Sequence, residues 1–479
     1  MARNSCDQND EDLDPQDWRA LRELAHRMVD DSLDELRERR TMPVWRAPPE
    51  GARDYFARAA PRQPQSPESV YREFQEHIRP YPMGNTHPRF WAWFMGGGTP
   101  FGALADFLAS AMNSNVGGGN HAAPMVERQV IEWIKEILHF PARASGLLLS
   151  GASMANLTGL AVARHAMARS DVRADGMQLI PEPMVVYAST EAHGSVQKAV
   201  ELLGFGQRQY RRIPVQDDYT VDLGALKAAI AADRAAGLRP ICVVGNAGTV
   251  NTGAIDDLAG LAQLCRQEGL WFHVDGAIGA VAILAEGGRK WLDGLDLADS
   301  VALDLHKWMQ MPFEVGCVLV RDRSIHRQAF SLVEDYLEPQ ERGLAASQPW
   351  FMDYGMQTTR QFRALKVWML LKEHGLARFG RLIERNLAQA RYLAERVTAS
   401  STLELMAPVP LSIVCFRFNP GGIGEAMLDR INMEIMIRLQ EEGTAALSDT
   451  ILRGRRCLRA AIANHRSQYG DFDLLVAET

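Results

Sequence analysis

The feature that most constrains the fold is an alternation of short apolar runs with helical patterns through the middle of the chain. The apolar runs have the length of buried strands and occupy residues 147–150, 184–189, 241–246, 270–275, 300–306 and 316–322. Stretches with helical periodicity separate them, at 153–169, 194–203, 222–236 and 256–268. Such alternation is typical of a mostly parallel sheet with helices on both faces. The sequence therefore predicts an α/β fold.

Different patterns flank this region. Before it, residues 18–40 show amphipathic helical spacing, whereas residues 43–68 are rich in proline and arginine and predict an extended connector. After it, helical patterns alternate with apolar runs at 412–418 and 457–463, which predicts a smaller α+β unit. We therefore expect an N-terminal helical and extended segment (1–80), a large α/β domain (81–372) and a small C-terminal α+β domain (373–479).

Composition and charge argue against several classes of partner. The formal net charge is −7, which gives no reason to expect nucleic acid or an anionic membrane. The polar, acidic start of the chain does not resemble a signal peptide, and no apolar run is long enough to span a membrane. The six cysteines show no CxxC spacing, which argues against a metal site and against a disulfide framework. We therefore predict a cytoplasmic protein without a metal.

Two of the apolar runs end in residues suited to covalent cofactor chemistry. Asp275 follows WFHV, and Lys307 follows SVALDLH. The carboxyl ends of strands in an open α/β sheet meet at one edge, where such folds place their chemistry. A lysine forms a Schiff base with pyridoxal phosphate (PLP), and a carboxylate holds a proton on the pyridine nitrogen. The pair therefore predicts a PLP site at this edge.

Polar residues after the other strands point to the same edge. The run LLLS leads into GASMANLTG, where free N–H groups at a helix start, together with Ser153, suit a phosphate. His193 and Thr249 follow the next two strands. Each of these residues, taken alone, fits a structural role better than a functional one. Together they favour one compact site.

An aromatic stretch, HPRFWAWF, precedes the α/β region and contains Trp93 and Phe94. The glycine run at 96–98 follows it, but no strand–GxGxxG–helix context makes this run a phosphate loop. The aromatic side chains belong either to the core or to the wall of a substrate pocket. Both interpretations stay open at this point.

In their order along the chain, these motifs resemble those of the group II PLP-dependent amino-acid decarboxylases. The resemblance is closest to the aromatic L-amino-acid decarboxylase branch, which belongs to the aspartate-aminotransferase superfamily (fold type I). The matching pieces are SGASMANL, TEAHGSVQKA, GTVNTGAIDDL, HVDGAIGA, DLHKW and RQFRALKVWM. The resemblance implies decarboxylation of an L-amino acid, with an aromatic substrate favoured. It also implies a homodimer, because active sites of this fold type usually form between two subunits.

The resemblance gives each matching residue a role. Lys307 would form the Schiff base, and Asp275 would pair with the pyridine nitrogen. His193 and Ala277 would pack on the two faces of the cofactor ring, and Thr249 would lie in the turn that borders the cofactor. The residues implied for the phosphate are Ala152, Ser153, Asp304 and His306. Those implied for the substrate pocket are Trp93 and Phe94, and we expect Ile278 and Phe351 to contact the substrate as well.

Two departures from the family pattern leave the substrate and the product open. Ile278 stands where the family commonly has an aromatic residue. Residues 331–356 match a loop that, in the aromatic branch, supplies a tyrosine that protonates Cα. An ungapped count back from RQFRALK puts Phe351 at that position, with Tyr354 and Tyr336 nearby. Phenylalanine there would favour reaction with oxygen and an aldehyde product. We expect ordinary decarboxylation instead, with Tyr354 as the proton donor.

Two other classes of function remain as alternatives. Another fold type I enzyme, such as an aminotransferase or an aldehyde-forming oxidative deaminase, would release a keto acid or an aldehyde instead of the amine. A non-catalytic binding protein would keep the fold alone. The presence of Asp275, His193 and Lys307 together argues against that last interpretation.

Overall fold

The computed structural model describes residues 12–332 and 340–479. The strands are β1 (Ser145–Leu149), β2 (Met184–Ser189), β3 (Tyr210–Ile213), β4 (Arg239–Asn246), β5 (Trp271–Asp275), β6 (Ser300–Asp304), β7 (Gly316–Val320), β8 (Leu403–Leu405), β9 (Ile413–Phe418), β10 (Ser448–Leu452) and β11 (Arg455–Ala461). The helices are α1 (Trp18–Glu38), α2 (Ala52–Phe56), α3 (Pro67–His77), α4 (Pro100–Met112), α5 (Ala122–Ile137), α6 (Ala152–Met167), α7 (Gly194–Leu202), α8 (Leu223–Ala235), α9 (Leu258–Glu268), α10 (Glu286–Arg289), α11 (Arg323–Phe330), α12 (Ala364–Ala399), α13 (Glu425–Glu441) and α14 (Tyr469–Glu478).

The larger sheet has, in the described residues, seven strands in the order β1-β7-β6-β5-β4-β2-β3. Neighbouring strands are parallel except where β7 pairs with β1 and β6. The connection between β6 and β7, residues 305–315, contains no helix, so β7 returns beside β6 in the antiparallel direction. The predicted α/β class, with a mostly parallel central sheet and flanking helices, is confirmed.

The apolar runs form strands because helices cover them. The strands β1, β2, β5, β6 and β7 are buried along their whole length. The sequence of a strand that is buried on both faces is a continuous apolar run without alternation, which is the pattern found here. The edge strand β3 (sequence YRRI) has only its two ends buried, and the sequence analysis missed it for that reason.

The expected connector needs correction, and the expected domain boundary lies inside a helix. The predicted extended connector at 43–68 contains the short helix α2 and the first residues of α3. In the predicted C-terminal unit, residues 376–398 are helical and belong to α12, which bends at Gly375, where φ is 67°. The expected domain boundary at 372/373 therefore lies within α12, and the division into three parts stays a prediction.

A smaller antiparallel sheet, in the order β10-β11-β9-β8, forms the C-terminal part of the described residues. The aromatic stretch before α4 runs between the two sheets. Trp91 stacks on Phe472 at a ring distance of 4.8 Å in the core of the smaller sheet. Phe94 packs edge-on against Trp308 at 5.6 Å in the core of the larger one. These aromatic residues therefore join the two cores.

In residues 12–332 and 340–479, none of the helices combines the length with the hydropathy that a bilayer span requires. In the same part of the chain, no group of three or more His, Cys, Asp or Glu side chains is arranged to hold a metal ion. The five cysteines at 242, 265, 317, 415 and 457 are free and buried.

Candidate active site

A cavity of about 550 Å³ opens at the carboxyl edge of the larger sheet. The ends of β1, β2, β4, β5 and β6 meet there, as expected for an open α/β fold. Most residues that the sequence analysis singled out line this cavity: Trp93, Phe94, Ala152, Ser153, His193, Asp275, Ala277, Ile278, Asp304, His306 and Lys307. The predicted residues Thr249, Phe351 and Tyr354 are not among them.

Asp304 contacts both Lys307 and the N-terminus of α6. The Lys307 Nζ lies 2.8 Å from Asp304 Oδ2, and Asp304 Oδ1 accepts a hydrogen bond of 2.7 Å from the Ala152 backbone N–H. A carboxylate at a helix N-terminus is stabilised by the helix dipole. The buried Asp304 therefore fixes both the lysine and the first turn of the helix.

His306 packs beside this pair. Its Nδ1 lies 3.0 Å from the Val315 carbonyl oxygen and 3.1 Å from the Val315 backbone nitrogen, which hold the ring in place. Nε2 lies 3.7 Å from Asp304 Oδ1, and the ring contacts that of Phe313 at 4.8 Å. Burial lowers the pKa of His306 and outweighs the opposing effect of Asp304, so we expect a neutral imidazole at pH 7.

Asp275 is a buried carboxylate without a cationic partner in the described part of the chain. Its Oδ2 accepts a hydrogen bond of 2.9 Å from Asn156 Nδ2, and its Oδ1 accepts one of 3.2 Å from the Ala277 backbone N–H. A buried charge is costly unless an opposite charge compensates it. A protonated pyridine nitrogen supplies that charge, so Asp275 fits a bound PLP.

His193 caps the N-terminus of α7 and exposes its ring to the cavity. Its Nδ1 accepts a hydrogen bond of 3.1 Å from the Ser195 backbone N–H and lies 2.8 Å from Ser195 Oγ. Partial removal from solvent lowers the pKa of His193, against the opposing effect of Asp275. The result is a neutral, oriented ring on the cavity wall, which suits packing on a cofactor ring.

The first turn of α6 offers the place for a phosphate. Ser153 is exposed to the cavity there, and its hydroxyl has no hydrogen-bond partner among the residues that the structure describes. The backbone of Gly151 approaches β7 closely, since a Cβ at Gly316 would lie 2.6 Å from the Gly151 Cα. The free N–H groups of a helix start bind anions. This turn therefore fits the phosphate end of PLP.

The aromatic stretch supplies both core and cavity wall. Phe94 is buried and lines the cavity, whereas Trp93 is 53% exposed. Trp93 adopts φ 52°, a left-handed conformation that costs a residue with a Cβ about 1 kcal/mol or more. Phe313 and Ile278 complete a largely apolar wall. The wall suits a flat apolar side chain.

Three of the predicted residues do not themselves line the cavity. Thr249 Oγ1 accepts a hydrogen bond from the Ala254 backbone N–H at 3.1 Å and orders its own turn, whose residues Gly248 and Val250 line the cavity. Phe351 and Tyr354 line a separate cavity of about 270 Å³ beside residues 145–146, at the opposite edge of the sheet. The Tyr354 ring packs edge-on against His326 at 5.1 Å. Tyr336 lies outside the described residues.

Sequence reasoning missed Arg459 on β11, which lines the cavity and is 4% exposed. Its Nε donates to the Asn251 carbonyl at 3.1 Å and its Nη1 to Ser448 Oγ at 3.2 Å. Its buried Nη2 has no partner, and no carboxylate pairs with it, among the described residues. Burial lowers the pKa of Arg459. No local motif marks this arginine, because it reaches the cavity only through the packing of the two sheets.

Sequence reasoning also missed Asn156, which contacts Asp275 from α6. Asn156 lies four residues after Ala152, so the two residues share one face of the helix. This spacing could have indicated that Asn156 lies near the site.

Comparison with known proteins decides the family. The model of the pyridoxal-dependent decarboxylase conserved domain matches residues 49–419. The chain belongs to this family. Within it, the chain is 34% identical over 453 residues to an aromatic-L-amino-acid decarboxylase of Bacillus atrophaeus, covering 93% of this chain and 92% of the relative. It is 28% identical to a phenylacetaldehyde synthase of Arabidopsis thaliana, covering 94% and 93% of the two chains.

The solved structures agree with this assignment. The crystal structure of Oryza sativa TDC with PLP and tryptamine superimposes with a TM-score of 0.89 at 26% identity, covering 98% of this chain and 99% of that one. The protein is therefore a PLP-dependent amino-acid decarboxylase with the fold type I architecture. The resemblance found from the motifs alone is confirmed.

Proposed function

We propose that this pyridoxal-dependent decarboxylase converts an aromatic L-amino acid to its amine and CO2. The observation that carries the proposal is the cavity in which Lys307 and the uncompensated Asp275 lie beside an apolar wall. Phe94, Ile278 and Phe313 in that wall offer apolar contacts and no charge to a substrate side chain. The names of the similar decarboxylase of Bacillus atrophaeus and of the protein solved with tryptamine support an aromatic substrate.

The residues of the cavity have different roles toward the cofactor. Bound PLP supplies an electron sink for the electron pair that remains when CO2 departs. Lys307 is the attachment point for the cofactor, and the negative charge of Asp275 keeps a proton on the pyridine nitrogen. His193 and Ala277 hold the ring plane from the cavity walls. This fixed plane lets the protein orient the bond to the leaving carboxylate, which is a large part of catalysis by positioning.

Ser153 and the first turn of α6 hold the phosphate, with His306 beside them. The resemblance implied that Asp304 contacts the phosphate, but we propose a different role for it. Its two oxygens bind the Ala152 N–H and Lys307, and a carboxylate has the same sign of charge as a phosphate. We therefore assign Asp304 to the positioning of Lys307 and of the helix start.

Arg459 is the candidate partner of the substrate carboxylate. Its guanidinium is buried at the cavity wall with neutral acceptors only, so an incoming carboxylate would provide the missing counter-charge. A guanidinium is also the side chain best matched to a carboxylate, because its N–H groups form a planar fork.

The amine is the product that the geometry favours. Phe351, which would favour an aldehyde if it took the place of the family's loop tyrosine, does not line the cavity of its own chain but packs at the opposite edge of the sheet. The similarity to a phenylacetaldehyde synthase keeps aldehyde formation as the second candidate.

We also propose that the enzyme works as a cytoplasmic homodimer. Support for the dimer comes from large apolar side chains that α1, α3 and α4 expose to solvent: Trp18, Val29, Val70, Phe74, Phe107 and Met112. Exposed apolar groups of this kind are typical of interfaces between subunits. The mass in solution by light scattering tests the assembly, and twice the mass of the chain is the expected result.

A panel of L-amino acids, incubated with the PLP-loaded enzyme and analysed by mass spectrometry, tests the reaction. We expect amine and CO2 from tryptophan, tyrosine or phenylalanine, and little turnover of glutamate. An aldehyde with peroxide as the main product would favour the second candidate. Turnover of acidic substrates alone would contradict the proposed role of the apolar wall.

A further inference from the structure

A chain of buried hydrogen bonds leads from the interior of the larger sheet to Asp275. Trp271 Nε1 donates to Ser300 Oγ at 2.8 Å, and Ser300 Oγ lies 2.7 Å from His273 Nδ1. His273 Nε2 lies 2.9 Å from Asn156 Oδ1, and Asn156 Nδ2 reaches Asp275 Oδ2 at 2.9 Å. Trp271, His273 and Asp275 alternate along β5, so the three side chains share one face of the strand.

The chemistry of the end group fixes the direction of every bond. An ionised carboxylate only accepts, so the Asn156 amide must turn its NH2 group to Asp275 and its oxygen to His273. That oxygen needs a donor, which puts the proton of the neutral ring on His273 Nε2. His273 Nδ1 then accepts from the Ser300 hydroxyl. Burial lowers the pKa of His273 to about 4, so the ring is neutral at pH 7. All donors therefore point toward Asp275.

Asn156 is also the branch point of the chain. Its Nδ2 lies 3.2 Å from Ser195 Oγ, which in turn lies 2.8 Å from His193 Nδ1. One buried amide thus connects the carboxylate expected at the pyridine nitrogen with the histidine expected on the ring face. Asn156 and His273 are both fully buried.

We propose that Asn156 and His273 are positioning residues that orient Asp275 and His193 for the cofactor. Aligned hydrogen bonds in a medium of low polarity strengthen one another, so the chain stabilises the negative charge of Asp275 and restricts its rotation. The proposal rests on the role of Asp275 toward PLP and is independent of which amino acid is the substrate.

Stability alone does not account for this arrangement. Well-packed apolar groups of similar volume are often as stabilising as buried polar groups. The neighbours of His273 on β5, Phe272 and Val274, are such groups. The helix also makes room for the histidine, since a Cβ at Gly159 would lie 2.7 Å from His273 Cε1. Close approach of α6 at this glycine brings Asn156 within reach of both His273 and Asp275.

Two variants test the chain, with PLP binding as the readout and no amino acid present. Asn156→Leu removes the donor to Asp275, and we expect PLP to bind roughly 10- to 100-fold more weakly, the effect of a lost hydrogen bond to a charged group. His273→Phe keeps a flat aromatic ring, slightly larger than imidazole, but leaves Asn156 Oδ1 without a donor, and we expect roughly a threefold to tenfold loss. Both variants should also shift the visible absorption maximum of the bound cofactor.

Tyr187→Phe is the matched control. Tyr187 is fully buried on β2, and its hydroxyl donates to Asp233 Oδ2 at 2.7 Å, away from the cavity. This variant should lower the melting temperature of the PLP-free protein and leave the affinity and the spectrum of PLP unchanged. Ser300→Ala removes only the hydroxyl oxygen that links Trp271 to His273 in the hydrogen-bond chain. It serves as a second test if the larger changes impair folding. It should weaken PLP binding roughly threefold.

Unchanged PLP affinity and spectrum in folded Asn156→Leu or His273→Phe protein would overturn the proposal. Unchanged PLP affinity in Ser300→Ala would also overturn it. So would a Tyr187→Phe control that loses as much PLP affinity as these variants. A protein that binds PLP as predicted but does not release amine would contradict the proposed reaction and leave this inference intact.

Discussion

Replacing Arg459 by methionine should weaken the binding of the amino acid far more than the binding of its amine product. The two ligands differ only in the carboxylate, and Arg459 is the buried cation at the cavity wall that lacks a counter-charge among the described residues. A hydrogen-bonded contact to a charged group contributes about 2–3 kcal/mol, which corresponds to roughly 30- to 150-fold in affinity. We expect a loss of that size for the amino acid and less than about threefold for the amine.

The loss should appear mainly in KM. Departure of CO2 removes the charge from the reacting carboxylate, so Arg459 stabilises the ground state at least as much as the transition state. Initial rates of the PLP-loaded variant give KM for the amino acid, and inhibition of these rates by the amine gives the affinity for the product. Equal weakening of both ligands, or no weakening of either, would refute the assignment.

Arg417→Met is the matched control. Arg417 is as buried as Arg459 and lies on the adjacent strand β9, but it is paired with Glu404 at 2.8 Å and Glu425 at 2.7 Å. Its replacement leaves two carboxylates without their partner, so it should lower the melting temperature and leave amino-acid binding unchanged. Arg459→Met, which removes an uncompensated buried charge, should leave the melting temperature close to that of the wild type.

Two further predictions follow from the positions of residues away from the cavity. Phe351→Tyr and Tyr354→Phe should leave the ratio of amine to aldehyde unchanged, because both residues pack at the opposite edge of the sheet; a change in peroxide release would contradict this. Burial lowers the pKa of His326 to about 3, so between pH 6.5 and 3 the unfolded state binds more protons and stability falls as the pH falls. Relative to the wild type, His326→Phe should reduce the loss of unfolding free energy between pH 7 and pH 4.5 by about 3 kcal/mol, measured by urea unfolding. Parallel pH dependences of the two proteins would show that His326 is not the cause.

The strands that carry site residues at their ends were predictable, because the pattern of apolar residues that marks them is local in the sequence. A buried strand needs a continuous apolar run, and Asp275 and Lys307 directly follow such runs. The antiparallel direction of β7 was within reach of the sequence as well, since the segment 305–315 is too short for a helical crossover. The edge strand β3 was not, because its arginines 211 and 212 do not form an apolar run.

The residues that complete the site depend on contacts between distant segments. Arg459 and Asn156 carry no motif of their own, and only the packing of β11 and α6 brings them to the cavity. Counting back from RQFRALK could not place the Phe351 side chain, because the packing of this segment, and not its distance along the chain, decides which cavity the side chain lines. Asp304 shows a different limit, since the motif indicated that it lies in the site but not that its carboxylate holds Lys307.

Lys307 as the attachment point of PLP is the central claim, and borohydride reduction tests it most directly. Reduction makes the bond between the cofactor and its lysine permanent, and peptide mass spectrometry then identifies the labelled residue among the chain's seven lysines. We predict a phosphopyridoxyl label on Lys307 alone. A label on another lysine, such as the buried Lys366 that pairs with Asp106, or no label in protein saturated with PLP, would contradict the account.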